Sequence, residues 1–229
     1  MSATAMPLRI DIVSDVVCPW CVIGYKQLLV ALDQRADQLE LDLHWHPFEL
    51  NPQMPPEGQN LREHIQQKYG SSREQSQGAR QRLQELGDTL GFKFNYSDET
   101  RMVNTFRAHQ LLHWAGEQGK QTELQMVLFE AFFTLQQDVN DPAVLIEAAT
   151  RVGLSAEAAA AVLVDASYGR AVREEQQGWL EEGIQAVPCF IVNNKYMVQG
   201  AQESAAFGRM LDKLLASHAD SPAMASAPV

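Results

Sequence analysis

The chain has 229 residues, 45% of them hydrophobic and 21% charged, with 14 Gly and 10 Pro, a composition that excludes fibrous and disordered classes. Its formal charge of -11 repels phosphate backbones and anionic lipid, so neither nucleic acid nor a membrane is an expected partner. Three cysteines are too few for a secreted disulfide framework, and residues 1–7 carry neither a basic region nor a long apolar run, so a cytoplasmic protein is expected.

Residues 8–13 alternate Ile10 and Ile12 with Arg9 and Asp11 and predict a strand. Pro19 suits the first position of a following helix, where its missing N–H costs nothing. Residues 39–45 set Leu39, Leu41, Leu43 and Trp45 on one side and Glu40, Asp42, His44 and His46 on a wetter one, and Pro47 marks an edge strand. These pieces form a strand, helix, strand unit short enough for a right-handed parallel crossover.

Residues 51–60 hold three prolines and a glycine and predict a loop. From 61 to 182 the helical period dominates, with glycines as stops. Residues 121–136 predict one helix apolar on both sides, with Leu124, Leu128, Phe132 and Leu135 on one stripe and Met126, Phe129 and Phe133 on the other. Such a helix belongs between two layers. After Gly183, residues 189–192, an Asn193-Asn194 turn and residues 196–198 predict a hairpin with a two-residue turn. Gly200, Ala201 and Gln202 open a closing helix that runs over 205–215, and residues 218–229 are expected to be a disordered tail.

The chemistry concentrates in Cys18-Pro19-Trp20-Cys21, at the junction of strand and helix. Residues three apart on a helical turn have Cα atoms about 5.5 Å apart, the separation a disulfide prefers. Cys18 stands at the helix cap, where free N–H groups and the dipole favour a thiolate; Cys21, one turn deeper, is the candidate resolving thiol. A zinc half-site would need two more ligands, which Cys189 and scattered histidines do not supply, so no metal is expected. The pairs His44/His46 and His109/His113 read as solvated faces. Asp11 reads as a hydrogen-bonded or partly exposed acid, with a proton acceptor for Cys21 as the alternative. Helix N-termini bind carboxylates, which makes Gly200, Ala201 and Gln202 a candidate anion site.

These residues resemble the thioredoxin superfamily, and more closely its DsbA-like group, which includes the FrnE proteins and the 2-hydroxychromene-2-carboxylate isomerases. The resemblance is carried by SDVVCPWCVIG (residues 14–24), HPFELNP (46–52), NTFRAHQLLHWA (104–115) and VPCFIVNNKYMVQGAQ (187–202). It implies an α/β thioredoxin-like fold, residues 8–60 and 183–217, interrupted by an all-helical insertion domain, 61–182. It also implies that Val187 and a cis Pro188 face the motif and hold a substrate segment, and that Pro19 and Trp20 tune the thiols. The activity implied is a thiol-disulfide oxidoreductase or isomerase acting on a disulfide- or thiol-containing protein or small molecule. No tightly bound cofactor is implied; glutathione is a candidate co-substrate at Gly200, Ala201 and Gln202, and glutathione or a thioredoxin-type protein a candidate recycling partner. The alternative is a glutathione-dependent isomerase of a small aromatic substrate, a branch that usually has Ser in place of the first cysteine.

Two departures from the group stand out. Cys189 follows the proline where an aromatic or aliphatic residue is usual; it reads as a small hydrophobe, with an auxiliary redox thiol as the alternative. Trp20 stands where a histidine would help hold the thiolate, and its ring reads as an apolar docking face. With Asp15 one turn upstream, this predicts a potential between about -250 and -160 mV, inside the span from about -270 mV for thioredoxin to about -120 mV for DsbA.

Overall fold

In the computed structural model, which describes residues 5–219, the chain begins with β1 (Met6–Ser14), α1 (Pro19–Asp33) and β2 (Leu39–Pro47). A second stretch holds β3 (Gln59–Asn60), α2 (Leu61–Tyr69), α3 (Arg73–Thr89), β4 (Arg101–Met102), α4 (Phe106–Glu117), α5 (Gln121–Phe129), α6 (Pro142–Arg151), α7 (Ala156–Val162) and α8 (Ala166–Glu181). The chain closes with β5 (Cys189–Val192), β6 (Tyr196–Gln199) and α9 (Ser204–Ala219). His218 and Ala219, expected in the tail, continue α9; the rest of that tail, 220–229, lies outside the described residues.

The main sheet has the order β2-β1-β5-β6, with β1 parallel to β2 and antiparallel to β5. This is the expected α/β arrangement, a strand, helix, strand unit joined to a hairpin with helices inserted between them. Helical structure fills that insertion apart from the short β3·β4 ladder. Leu8, Ile10 and Ile12 are fully buried on one face of β1, where Phe190 and Phe207 also meet edge to face at 5.0 Å. Asp11 and Val13 are buried on the other face. Covered on both sides, β1 is the centre of the sheet.

Three local expectations are corrected. In β2, Leu41 is 41% exposed whereas the side chain of His46 is only 15% exposed, because α4, α5 and α8 pack on the strand and cover its presumed wet side near the C-terminal end. The predicted single helix over 121–136 stops at Phe129 and continues as a π-helical turn, Glu130–Thr134. That turn breaks the 3.6 period: Leu124, Leu128, Phe129, Phe132 and Phe133 are buried as expected, but Leu135 is 50% exposed. In the hairpin, Asn193 and Asn194 have φ of 50° and 54°, as a type I′ turn requires. Lys195 donates its N–H to Val192 while Val192 pairs with Tyr196, so the connection has three residues rather than two.

Candidate functional site

β1 delivers the chain to the site and α1 carries it away. The Cys18 N–H donates to the Asp15 carbonyl at 3.0 Å, closing a turn that puts Cys18 at the N-cap with extended φ and ψ of -93° and 109°. Pro19 occupies the first helical turn and loses no bond there. The Cys18 side chain caps no amide; its thiol donates to the Val187 carbonyl at 3.6 Å. The Val187–Pro188 peptide is cis, and the Pro188 carbonyl accepts from Gly200 N–H at 2.8 Å. Cys18 and Val187, 169 positions apart in sequence, therefore meet at one sulfur.

Cys21 is fully buried. Burial pushes its thiol well up from the ordinary range, and the neighbouring Cys18 thiol pushes it further, against the Ser14 hydroxyl and the Asp15 backbone. Cys18 and Cys21 are both free cysteines in this structure. Trp20 leaves 41% of its surface in solvent beside them. Cys189 is fully buried against Val13 and Ile184, and burial pushes its thiol up to about 11. It is a core residue, and the surroundings of its thiol disfavour a thiolate.

Several contacts around the motif were not expected. Asp15 is completely buried; its Oδ2 accepts from Leu50 N–H at 2.7 Å and its Oδ1 lies 3.4 Å from His109 Nε2. His109 donates from Nε2 to the Phe48 carbonyl at 3.0 Å and is itself buried, so it is not part of a solvated face. Tyr69 and Tyr96 lie within electrostatic reach of Cys18; both hydroxyls are raised, first by desolvation, which is partial for the exposed Tyr69, and then by that sulfur. Long-range packing brings Leu50, His109, Tyr69 and Tyr96 to the motif, and no local pattern in the sequence marks that placement.

His46 is the second correction to the solvated histidines. Its Nε2 meets Asp11 Oδ1 at 2.8 Å and its Nδ1 meets Glu175 Oε1 at 2.5 Å. Both ring nitrogens face a carboxylate oxygen, an arrangement that favours the doubly protonated ring, and these two bonds raise the imidazole against the lowering effect of burial. Arg9 grips Asp11 with two bonds of 2.8 and 2.7 Å, and His113 reaches Glu175 at 3.4 Å. Asp11 is thus committed to Arg9 and His46, which leaves the hydrogen-bonded reading and not that of a Cys21 proton acceptor. His44 remains beside Asp42 at 2.8 Å and partly exposed, as expected. Among the described residues no cluster of His, Cys, Asp and Glu could hold a metal ion.

Gly200, Ala201 and Gln202 do not open the last helix, which starts at Ser204. Gly200, with φ of 76°, ends β6 and gives its N–H to Pro188, while Gln202 Nε2 binds the Gln199 carbonyl at 2.9 Å. The first amide of α9 is taken by Gln27 Oε1 at 2.9 Å. The anion site expected from a helix N-terminus therefore lacks that terminus.

Among the described residues no helix is long and apolar enough to cross a membrane. The uncharacterized protein YwbO of Bacillus subtilis is 26% identical over 207 residues, which cover 90% of this chain and 96% of that one. A solved structure from Streptomyces coelicolor, described as a probable DsbA oxidoreductase, is 29% identical, has a TM-score of 0.84 and covers 97% of this chain and 92% of its own. The cytosolic disulfide reductase DsbM of Pseudomonas aeruginosa, also solved with GSH, shares the fold at 16% identity and a TM-score of 0.63, over 91% of this chain and 99% of its own. The model of the DSBA-like thioredoxin domain matches residues 9–212, and the chain belongs to that family.

Proposed function

We propose that the protein exchanges thiols and disulfides through Cys18 and Cys21, with residues 8–60 and 183–217 as the thioredoxin-like working part and 61–182 as its helical insertion. The observation that carries this reading is a thiol at the first turn of α1, bonded to the Val187 carbonyl, with a second thiol buried one turn behind it. In the reducing direction the Cys18 thiolate attacks one sulfur of a substrate disulfide. The substrate S–S bond breaks, and its other sulfur leaves as a thiolate and takes a proton. Cys21 then gives up its proton and attacks Cys18 Sγ, which releases the second substrate thiol and leaves a Cys18–Cys21 disulfide. Two electrons have passed to the substrate; two glutathione molecules or a thioredoxin-type dithiol would restore them, and the reverse sequence oxidises a substrate.

The environment of Cys21 suits this order. Burial and the Cys18 thiol both hold its proton on, and the second of these influences disappears once Cys18 is tied up in the mixed disulfide. Trp20 and the 60% exposed Tyr69 supply apolar surface for a protein substrate. The cytosolic DsbM, solved with GSH, supports a cytoplasmic site of action and glutathione as co-substrate. The retained Cys21 favours exchange over glutathione-dependent isomerisation of a small aromatic molecule, which needs no resolving thiol.

Glutathione-driven insulin reduction is expected to fall to background in Cys18→Ser, and turnover that survives this change would overturn the reading. Cys21→Ala is expected to trap mixed disulfides in cells. Recovery of glutathione alone on Cys18 would favour the small-molecule branch.

A further inference from the structure

Half of the β2 edge is capped and half is open. Trp45 donates its backbone N–H to Gln121 Oε1 at 3.0 Å and accepts from Gln121 Nε2 at 2.9 Å, so both backbone groups face away from β1. Even-numbered residues flanking the strand face the other way: the Gln38 carbonyl accepts from Met6 at 2.8 Å, and Phe48 donates to the Ser14 carbonyl at 3.0 Å. The two-residue period of a strand then turns the N–H and C=O of Leu39, Leu41 and Leu43 outward. Among the described residues no strand pairs with that side of β2.

The side chains along this half-edge differ by face. On the leucine side a groove of about 660 Å³ runs along α1, lined by Leu29, Val30, Leu39, Leu41 and Leu90, with Lys26 and Asp33 also in its wall. Val30 and Leu41 are 40% and 41% exposed. On the opposite face Glu40 and Asp42 are exposed, with His44 beside Asp42 at 2.8 Å and Arg9 within its electrostatic reach.

The geometry points to this half-edge as a docking strip for an extended segment of another polypeptide in which apolar and basic residues alternate. The segment's backbone would continue the sheet on Leu41 and Leu43. Its apolar side chains would lie over the groove, and its Lys or Arg side chains would stand opposite Glu40 and Asp42. A second copy of this chain fits worse. Antiparallel pairing centred on Leu41 would set Glu40 against the other copy's Asp42, and pairing centred on Asp42 would set that carboxylate against itself. Leu39 pairs with Met6 whereas Pro47 pairs with Ser14, so the strip lies at the end of the sheet away from Cys18 and docking leaves the thiols free.

A fluorescent Val-Lys-Val-Lys-Val-Lys-Val peptide, with Val-Glu-Val-Glu-Val-Glu-Val as its mirror, tests this by anisotropy on the full chain. The basic peptide is expected to bind saturably, and Glu40→Lys with Asp42→Lys to weaken it about tenfold while improving the acidic peptide. Glu147→Lys with Glu157→Lys makes the same charge change on α6 and α7 and is expected to leave binding unchanged. Leu41→Pro removes an outward N–H that the ladder with β1 does not use; it is expected to abolish peptide binding while insulin reduction persists. Equal weakening by the two charge-reversed pairs would reduce the effect to bulk charge and overturn the proposal. So would binding retained by a folded Leu41→Pro, or a dimer that this variant disperses, which would assign the edge to a second copy. If Leu41→Pro does not fold, the charge-reversed pairs decide alone. Loss of insulin reduction in Cys18→Ser tests the catalytic reading separately.

Discussion

The thiol chemistry turns on what stands next to Cys18. The N-terminus of α1 favours negative charge there, whereas Trp20 adds an uncharged ring and Asp15 a carboxylate buried under Leu50 and His109. Trp20→His would place an ionisable ring beside the sulfur and stabilise the reduced form. The potential is expected to rise by about 30 mV, equivalent to about 1.4 kcal/mol for a two-electron couple. Equilibration with glutathione buffers at pH 7 measures it, and the unsubstituted protein is expected between about -250 and -160 mV. A value above about -130 mV would show that Trp20 and Asp15 do not control the thiols. Cys18 and Cys21 were legible in the sequence because their pairing is local, one helical turn, and Pro188 because it directly precedes a recognisable hairpin. Asp15 with His109, and Asp11 with His46 and Glu175, were not legible. Each such pair joins residues from separate elements, and periodicity reports a residue's own element and nothing about which other element will cover it.

Gln121 and Gly87 show how single positions hold elements in place. The Gln121 carboxamide stands in for a neighbouring strand at Trp45, and Thr122 accepts from the Trp45 indole at 3.1 Å. Gln121→Ala leaves two backbone groups of the β2 edge without their partner, and a loss of about 1–2 kcal/mol is expected in urea titration. No change in midpoint would mean that water replaces the carboxamide without cost. Gly87 in α3 lies under the turn that follows: a Cβ there would stand 2.4 Å from the Phe92 carbonyl and 2.6 Å from the Phe94 ring. Phe94 meets Phe92 edge to face at 4.9 Å and Phe133 edge to face at 5.1 Å, so Gly87→Ala must disturb that aromatic group. A cost of about 1–3 kcal/mol is expected, again read from urea unfolding. Most strands and helices were legible because their periods are strong and their breakers sharp. The π-helical turn at Glu130–Thr134 was not, since its extra residue follows from packing; Asn95 donates to the Phe133 carbonyl at 2.8 Å within it.

Across the whole molecule the sheet and the inserted helices are joined by one charged network, Arg9–Asp11–His46–Glu175–His113, which links β1, β2, α4 and α8. Its pH response follows from the direction of each shift. Burial by itself would lower His46, but bonds to Asp11 and Glu175 outweigh it and the imidazole is raised; His113 is raised by its bond to Glu175. Burial would raise the two carboxylates, yet His113 and His46 bring Glu175 down to about 2, and His46 and Arg9 hold Asp11 below the usual range. The raised histidines contribute stability that is complete below their unfolded value of about 6.5 and is lost as pH rises through the folded value. The depressed carboxylates contribute stability that is present above about pH 4 and is lost as pH falls toward the folded values. The network is therefore expected to stabilise most between about pH 4.5 and 6.5. Urea midpoints should fall from pH 5.5 toward pH 8.5 and again toward pH 3. Self-repulsion from the formal charge of -11 also weakens the fold on the alkaline side, so the decisive comparison is His46→Gln, which keeps a polar ring-sized group but cannot be protonated. That variant is expected to be less stable at pH 5.5 and to lose part of the alkaline slope. An unchanged slope would assign the whole pH dependence to net charge and leave His46 as a polar packing group between the sheet and α8.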